Sequence, residues 1–240
     1  MNGQLLNFEV VALIDGVFSM TDRETGTLWT HLDGLSLSGP LLGERLKFLP
    51  MQITTWEEWQ RLYPETTVLD WDTGFQSRYR PIAPGASVGS NADFNDTRLP
   101  VNALMIGVES NGQFKSYPHQ LIERDGNVIN DTLGGAPIVV FRTPSGGSGL
   151  AYSRVTGGQT LSFQIEISSI SIYSDQETGT LWNSSGLGIS GPLADTQLEF
   201  VPSFNTEWYG WAEYHPTTSI YGTPSDWVTV IGPSTQGGME

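Results

Sequence analysis

The sequence predicts a mainly β protein made of two related β units, each with one short helix, in a pseudo-twofold arrangement. Three observations lead there. First, the chain repeats itself: Asp22-Arg23-Glu24-Thr25-Gly26-Thr27-Leu28-Trp29 returns 153 residues later as Asp175-Gln176-Glu177-Thr178-Gly179-Thr180-Leu181-Trp182. After a one-residue slip, Gly39-Pro40-Leu41 returns as Gly191-Pro192-Leu193, and Leu46-x-Phe48-x-Pro50 as Leu198-x-Phe200-x-Pro202. Trp56-x-x-Trp59 and Pro64-x-Thr66 return as Trp208-x-x-Trp211 and Pro216-x-Thr218. Second, 28 Gly and 14 Pro among 240 residues favour turns over long helices. Third, the apolar runs are short, rich in β-branched residues and bounded by turn signals.

The elements follow in order. Phe8 to Leu13 reads as a strand, Asp15-Gly16 as a turn and Val17 to Met20 as a second strand. Asp22 to Gly26 is the next turn, with Gly26 expected at positive φ, and Thr27 to Trp29 opens a third strand. Thr54 to Pro64 reads as a short helix: Thr54 or Thr55 caps it, Glu57 and Glu58 fill its first turn, and Pro64 stops it. Trp56, Trp59 and Tyr63 then share one helix face. Pro81 to Asn95 is dominated by Gly, Pro, Ser and Asn, as in a long loop or linker. Ala103 to Val108 and Pro137 to Arg142 are strands, and Thr143 to Gly149 is a glycine-rich turn. Leu161 to Tyr173 matches the position of Phe8 to Met20, and a second helix is expected from about Thr206 to Tyr214. The expected organisation is a first unit over 1–80, a connection over 81–100, a second unit over 101–222 and a tail over 223–240.

Composition excludes several classes. Asp and Glu number 26 against 11 Lys and Arg, a net charge of −15, which argues against nucleic acid and anionic membranes as partners. No apolar run approaches the roughly 18 residues of a membrane span, so membrane insertion is not expected. The chain has no cysteine, which removes disulfides, thiolate nucleophiles and Cys-based zinc sites. Its first residues show no basic segment followed by an apolar stretch, so no signal peptide is read there. Gly146-Gly147-Ser148-Gly149-Leu150 departs from the nucleophile elbow at Leu150, and no dinucleotide or phosphate loop is present. No cofactor and no metal are assigned.

The assembled motifs resemble the domain of unknown function 3179 family. The resemblance rests on Asp22–Trp29, Gly39–Leu41, Leu46–Pro50, Thr54–Trp59 and Tyr63–Thr66. Asp72-Thr73-Gly74-Phe75, Ser116-Tyr117-Pro118, Val128-Ile129-Asn130-Asp131 and Gly134-Gly135-x-Pro137 resemble further family elements. The resemblance implies an exported or surface-associated protein with no established activity. It also implies, for many members, a His before the Val-Asn-Asp element and a Cys-Pro-x-Cys after the next strand, which suggests a metal or redox site. Here Gly126 or Asn127 and Thr143-Pro144-Ser145-Gly146 stand at those places, and none is a strong transition-metal ligand. The repeat offset sets the opening of the first unit about 50 residues before Met1, so the first unit is expected to lack its opening strands. The resemblance places the reactive His and Cys in that part. A homodimer or strand exchange is one expected way of covering the edge left open.

Candidate residues are sought where the copies differ. Asp22, Glu24, Asp175 and Glu177 occur in both copies, and turn capping is their simpler role. Arg23 becomes Gln176, and His31 has no histidine counterpart, so both are candidates for ligand contact. The unduplicated Trp71 is a stacking candidate, and Asp72 and Asp93 are unduplicated polar candidates. Asp70-x-Asp72-x-Gly74 has the spacing of some calcium loops but lacks the downstream acidic ligand. The duplicated Trp56, Trp59, Trp208 and Trp211 are expected in the core, and His215 in a structural role. The function expected is a non-catalytic binding or scaffold module with an unknown ligand. The alternative is a metal- or redox-dependent enzyme remnant, or a carboxylate-based hydrolase acting on carbohydrate through Arg23, His31, Asp72 and Asp93.

Overall fold

In the computed structural model the chain is mainly β, and the repeated motif folds into the same four-stranded meander twice. The structure describes residues 3–14, 16–78, 94–144, 147–167 and 171–231. The first unit supplies β1 (Phe8–Ile14), β2 (Val17–Asp22), β3 (Leu28–Thr30) and β4 (Ser36–Ser38), followed by α1 (Trp56–Leu62). The second opens with β5 (Leu104–Ser110), β6 (Gln113–Pro118), α2 (His119–Arg124), β7 (Val128–Leu133), β8 (Ala136–Arg142) and β9 (Gly149–Ser153). A small hairpin, β10 (Val155–Thr156) and β11 (Gln159–Thr160), follows. The repeated part is β12 (Phe163–Ile167), β13 (Ile172–Asp175), β14 (Leu181–Trp182) and β15 (Gly188–Ser190). β16 (Phe200–Val201), β17 (Ser203–Glu207), α3 (Trp208–Tyr214) and β18 (Ser219–Ile220) complete it.

The two meanders share their register. Phe8 faces Asp22 as Phe163 faces Asp175, and each opening strand carries a bulge, at Val10/Ala12 and at Ile165/Ile167. Trp29 faces Met20, and Trp182 faces Tyr173. The side chains of the repeat explain the geometry. The Asp22 carboxylate accepts the Thr25 backbone N–H at 2.6 Å and the Trp29 indole N–H at 2.8 Å. Asp175 does the same with Thr178 at 2.6 Å and Trp182 at 2.9 Å. Gly26 and Gly179 both take φ 70°, the positive value the hairpin demands. The Gly-Pro-Leu element closes the meander. A Cβ on Gly39 or Gly191 would lie 2.8 Å from the Cα of Thr27 or Thr180, so only glycine lets the chain pass.

Asp22 and Asp175 are therefore turn and indole anchors, both buried. Asp175→Ala would leave the buried Trp182 indole N–H and the half-buried Thr178 backbone N–H without their acceptor. The expected loss is about 2–4 kcal/mol of unfolding free energy in urea titrations. Asp175→Asn, which keeps an acceptor oxygen, should lose less. Equal losses would mean that the carboxyl does not anchor the indole.

The second unit holds the core. The sheet β16-β9-β8-β7 lies between two apolar clusters. Ile138 and Val140 face Ile106, Val108, Tyr117 and Ile122, whereas Val139 and Phe141 face Tyr152, Phe163, Tyr173 and Trp182. Burial on both faces is why the run 138–141 is apolar without alternation. A third cluster sets α3 against the sheet β17-β5-β6-β18, with Trp208 and Trp211 against Met105, Leu99 and Ala103. Among the described residues, three helical pieces exceed the sequence expectation of one helix per unit: a single 3-10 turn at Gln76–Arg78, α2, and a segment over 224–231. α2 has six residues and follows Pro118 with no side-chain cap, so neither capping nor periodicity announces it. The segment over 224–231 starts from a capping box in which Thr223 and Asp226 bond reciprocally. Among the described residues, no helix is long and apolar enough to cross a membrane.

Candidate binding surface

The two short helices are built alike and treated oppositely. Thr55 caps α1, its hydroxyl accepting the Glu58 N–H at 3.2 Å. In both copies the indole of the second tryptophan donates to a threonine seven residues on: Trp59 to Thr66 at 2.9 Å, Trp211 to Thr218 at 2.8 Å. The C-caps match as well, Tyr63 at φ −133°, ψ 70° and His215 at φ −128°, ψ 64°. The two helices thus share the indole–threonine bond and the C-cap, and differ at the N-cap, where Glu207 of α3 makes no side-chain capping bond.

Burial separates them. Trp208 and Trp211 are 0% and 1% exposed, whereas Trp56 and Trp59 are 49% and 36% exposed. The expectation that all four tryptophans lie in the core is corrected for the first pair. The physical reason is the sheet that covers α3. Trp211 lies directly over Gly107 of β5, where an added Cβ would sit 2.3 Å from the indole, and Phe114 and Phe204 meet its edges at 6.1 and 5.4 Å. His215 stacks on Phe114 at 4.0 Å, which is a structural use of that histidine. Among the described residues, no such sheet lies over α1. The same contrast holds beyond the helix. Val68 is exposed where Ile220 is buried, and Phe8 is exposed where Phe163 is buried against Phe141. Leu49, Met51 and Ile53 add exposed apolar surface on the extended run before α1.

That run, α1 and the second unit enclose a groove of about 680 Å³. Trp59 and Tyr63, with ring centroids 4.5 Å apart, form one wall. Tyr152, Phe200, Gln197 and Glu199 line the other. Gln52 donates to Ser184 O at 3.1 Å, and the Ile53 N–H donates to Ser148 Oγ at 3.1 Å, so the run is held to the second unit along one side. Arg45 secures its beginning, bridging Asp33 at 2.7 Å and Glu109 at 2.6 Å.

Behind the groove lies a buried polar junction that sequence reasoning missed. Glu58, buried on α1, accepts from Thr54 Oγ1 at 2.5 Å and reaches Thr143 Oγ1 at 3.4 Å. The neighbouring Arg142 donates to Asn127 Oδ1 at 2.6 Å, to Glu123 at 3.1 Å and to His119 Nδ1 at 3.3 Å. Burial and the adjacent Arg142 charge push the His119 imidazole down to about 4, an effect only partly offset by Asn205. His119 is therefore neutral at pH 7, an acceptor for Arg142. The sequence held only a faint signal: Glu58 aligns with Gly210, one of five positions at which the two seven-residue helices differ. His119 had no such signal, because its partners come from β8 and β17, distant in sequence.

The candidates chosen from sequence fall elsewhere. Arg23 is exposed and pairs with Glu9 at 3.2 Å. His31 is exposed, its ring edge-on to Phe18 at 6.5 Å. Asp72 is exposed and accepts from Gly74 N at 3.0 Å and Gln76 Nε2 at 2.6 Å, which keeps its carboxyl below the usual range. Trp71 is 71% exposed, and Asp93 lies outside the described residues. Arg23, His31 and Asp72 thus have separate local partners, and these partners do not join them into one constellation. Among the described residues, no three His, Asp or Glu side chains gather closely enough to hold a metal ion.

Fold and surface together define a mainly β protein in which one tryptophan-bearing helix is covered and its counterpart is exposed. The model of the family described as "Protein of unknown function (DUF3179)" matches residues 1–218. The chain belongs to the DUF3179 family. Comparison with curated proteins and with solved structures gives no match.

Proposed function

We propose that this chain is a non-catalytic binding or scaffold module, and that the open face of the first repeat is its binding surface. The observation that carries this is the opposite burial of matched residues, Trp56 and Trp59 against Trp208 and Trp211. Monomeric proteins seldom leave paired aromatic side chains and a neighbouring apolar run in water without a partner for them. The aromatic wall of Trp59 and Tyr63 beside Gln197 and Glu199 combines apolar area with polar groups that fix orientation, the composition of a recognition site. The competing enzyme reading relies on Arg23, His31, Asp72 and Asp93. Three of these already serve local partners, and the fourth is undescribed.

A paired screen tests the choice. The chain and its Trp56→Ser/Trp59→Ser variant are screened against immobilised glycans and peptides, and for hydrolysis of the same compounds. The binding reading expects a ligand retained by the native chain and lost by the variant, with a melting temperature lowered by no more than a few degrees. Turnover that survives in the variant but disappears in His31→Ala or Arg23→Ala would overturn it.

A further inference from the structure

The second repeat displays what closes such a face, and the first repeat repeats the acceptor side of that closure. In the second repeat β17 pairs antiparallel with β5, Phe204 facing Gly107 and Thr206 facing Met105. The flanking bonds, Glu109 N to Pro202 O and Trp208 N to Ala103 O, both at 2.9 Å, set the alternation. Phe204 and Thr206 therefore point their backbone groups at β5, and Asn205 points away. The aligned residues of the first repeat are Gln52, Thr54 and Ile53. Ile53, the outward one, has its N–H bonded to Ser148 Oγ. No backbone hydrogen bond joins Gln52 or Thr54 to any described residue. Among the described residues, the backbone groups of Gln52 and Thr54 thus have no strand partner where the aligned Phe204 and Thr206 have β5, beside an indole that makes the same hydrogen bond as Trp211.

We infer that the first-repeat face receives a β-hairpin from a protein partner, resembling β5 and β6. One of its strands pairs antiparallel with residues 51–55, and a glycine opposite Gln52 lies over Trp59. The inference rests on the binding reading above and supplies its partner. Strand addition provides the backbone hydrogen bonds, and the indole provides selectivity. Any side chain at the glycine position meets the ring, as the 2.3 Å approach at Gly107 shows. Alternate side chains of the incoming strand cover Trp56 and Val68, as β5 and β6 cover Trp208 and Ile220.

The probe is a synthetic peptide with the sequence of residues 103–118, titrated into the full chain. Its binding is read by tryptophan emission and by amide exchange. The expected result is a blue shift and slowed exchange at Gln52 and Thr54, both lost with Trp59→Ser. A peptide carrying Gly107→Leu should bind at least tenfold more weakly. Because the free peptide can fail to form a hairpin, a second variant carries residues 101–142 fused ahead of Gly3. The fusion should bury Trp56 and Trp59, seen as lower acrylamide quenching. Equal binding of the two peptides at Trp59 overturns the hairpin but leaves the binding surface intact. No binding by the peptides and unchanged quenching in the fusion also overturn the hairpin, and the screen above then decides the binding surface separately. A dimer in light scattering that Trp56→Ser/Trp59→Ser dissociates overturns it in favour of a second copy as occupant.

Discussion

Trp211→Ala is expected to lower the unfolding free energy by about 3–5 kcal/mol, the range for emptying a large aromatic site in a core. Trp59→Ala, the same change at the aligned position, is expected to cost about 1 kcal/mol or less, as for a surface residue. The difference follows from burial alone, since both indoles make the same hydrogen bond to threonine and sit on helices with matching C-caps. Trp211 loses its contacts with Gly107, Phe114 and Phe204; Trp59 loses Tyr63 and solvent-facing area. Guanidinium titrations of the two variants measure it directly. Losses of similar size would mean that the first-repeat face is closed in solution, by dimerisation or otherwise. Repeating the measurement at several protein concentrations separates these cases, because a dimer's stability depends on concentration.

The second large effect is a loss of stability on mild acidification. His119 and His215 are both held near 4 by burial; the Arg142 charge adds to the depression at His119. At His215 burial again comes first, with Asp33 opposing the shift and Arg45 reinforcing it. A histidine in the unfolded chain titrates near 6.5. Between about 6.5 and 4 the unfolded chain binds protons that the folded chain refuses. Stability is therefore full above 6.5 and falls as the pH drops through that window. His119 alone contributes a slope of up to about 1.4 kcal/mol per pH unit. Its surroundings come from three elements: Arg142 on β8, Glu123 on its own helix and Asn205 on β17. Urea midpoints at pH 7.5, 5.5 and 4.5 should fall in that order. His119→Gln, which keeps an acceptor for Arg142, should flatten the curve. An unchanged slope in that variant would remove His119 as the cause.

Much of the fold was legible because its determinants are local. The Asp-x-x-Thr-Gly-Thr-Leu-Trp hairpin contains its own turn glycine, its capping carboxylate and the indole that carboxylate holds. Thr55, Glu57, Glu58 and Pro64 likewise mark both ends of α1 within ten residues. The surface was not legible. Whether Trp59 is covered depends on a sheet distant in sequence, and α1 and α3 share their tryptophan spacing regardless of what lies above them. Duplication made the error natural: it suggested a common role for residues that share a local fold but not an environment. The polar junction escaped notice for the same reason, since Glu58, Arg142 and His119 meet only across elements. The family resemblance, in contrast, rested on short contiguous motifs, and those are the features a family model records.

Glu58 and Gly210 occupy the same place in their helices, yet they face different neighbours. A Cβ at Gly210 would lie 3.6 Å from both Thr206 Oγ1 and the Val17 methyl, while Glu58 takes a hydrogen bond from the aligned Thr54 and extends to Thr143. Exchange of the two helices would drive a carboxylate toward Val17 and leave Thr143 facing no acid. The halves are consequently no longer interchangeable parts. The two seven-residue helices differ at five positions and keep only their tryptophans in common. What both copies retain is the indole–threonine bond, and the rest of each helix fits its own surroundings.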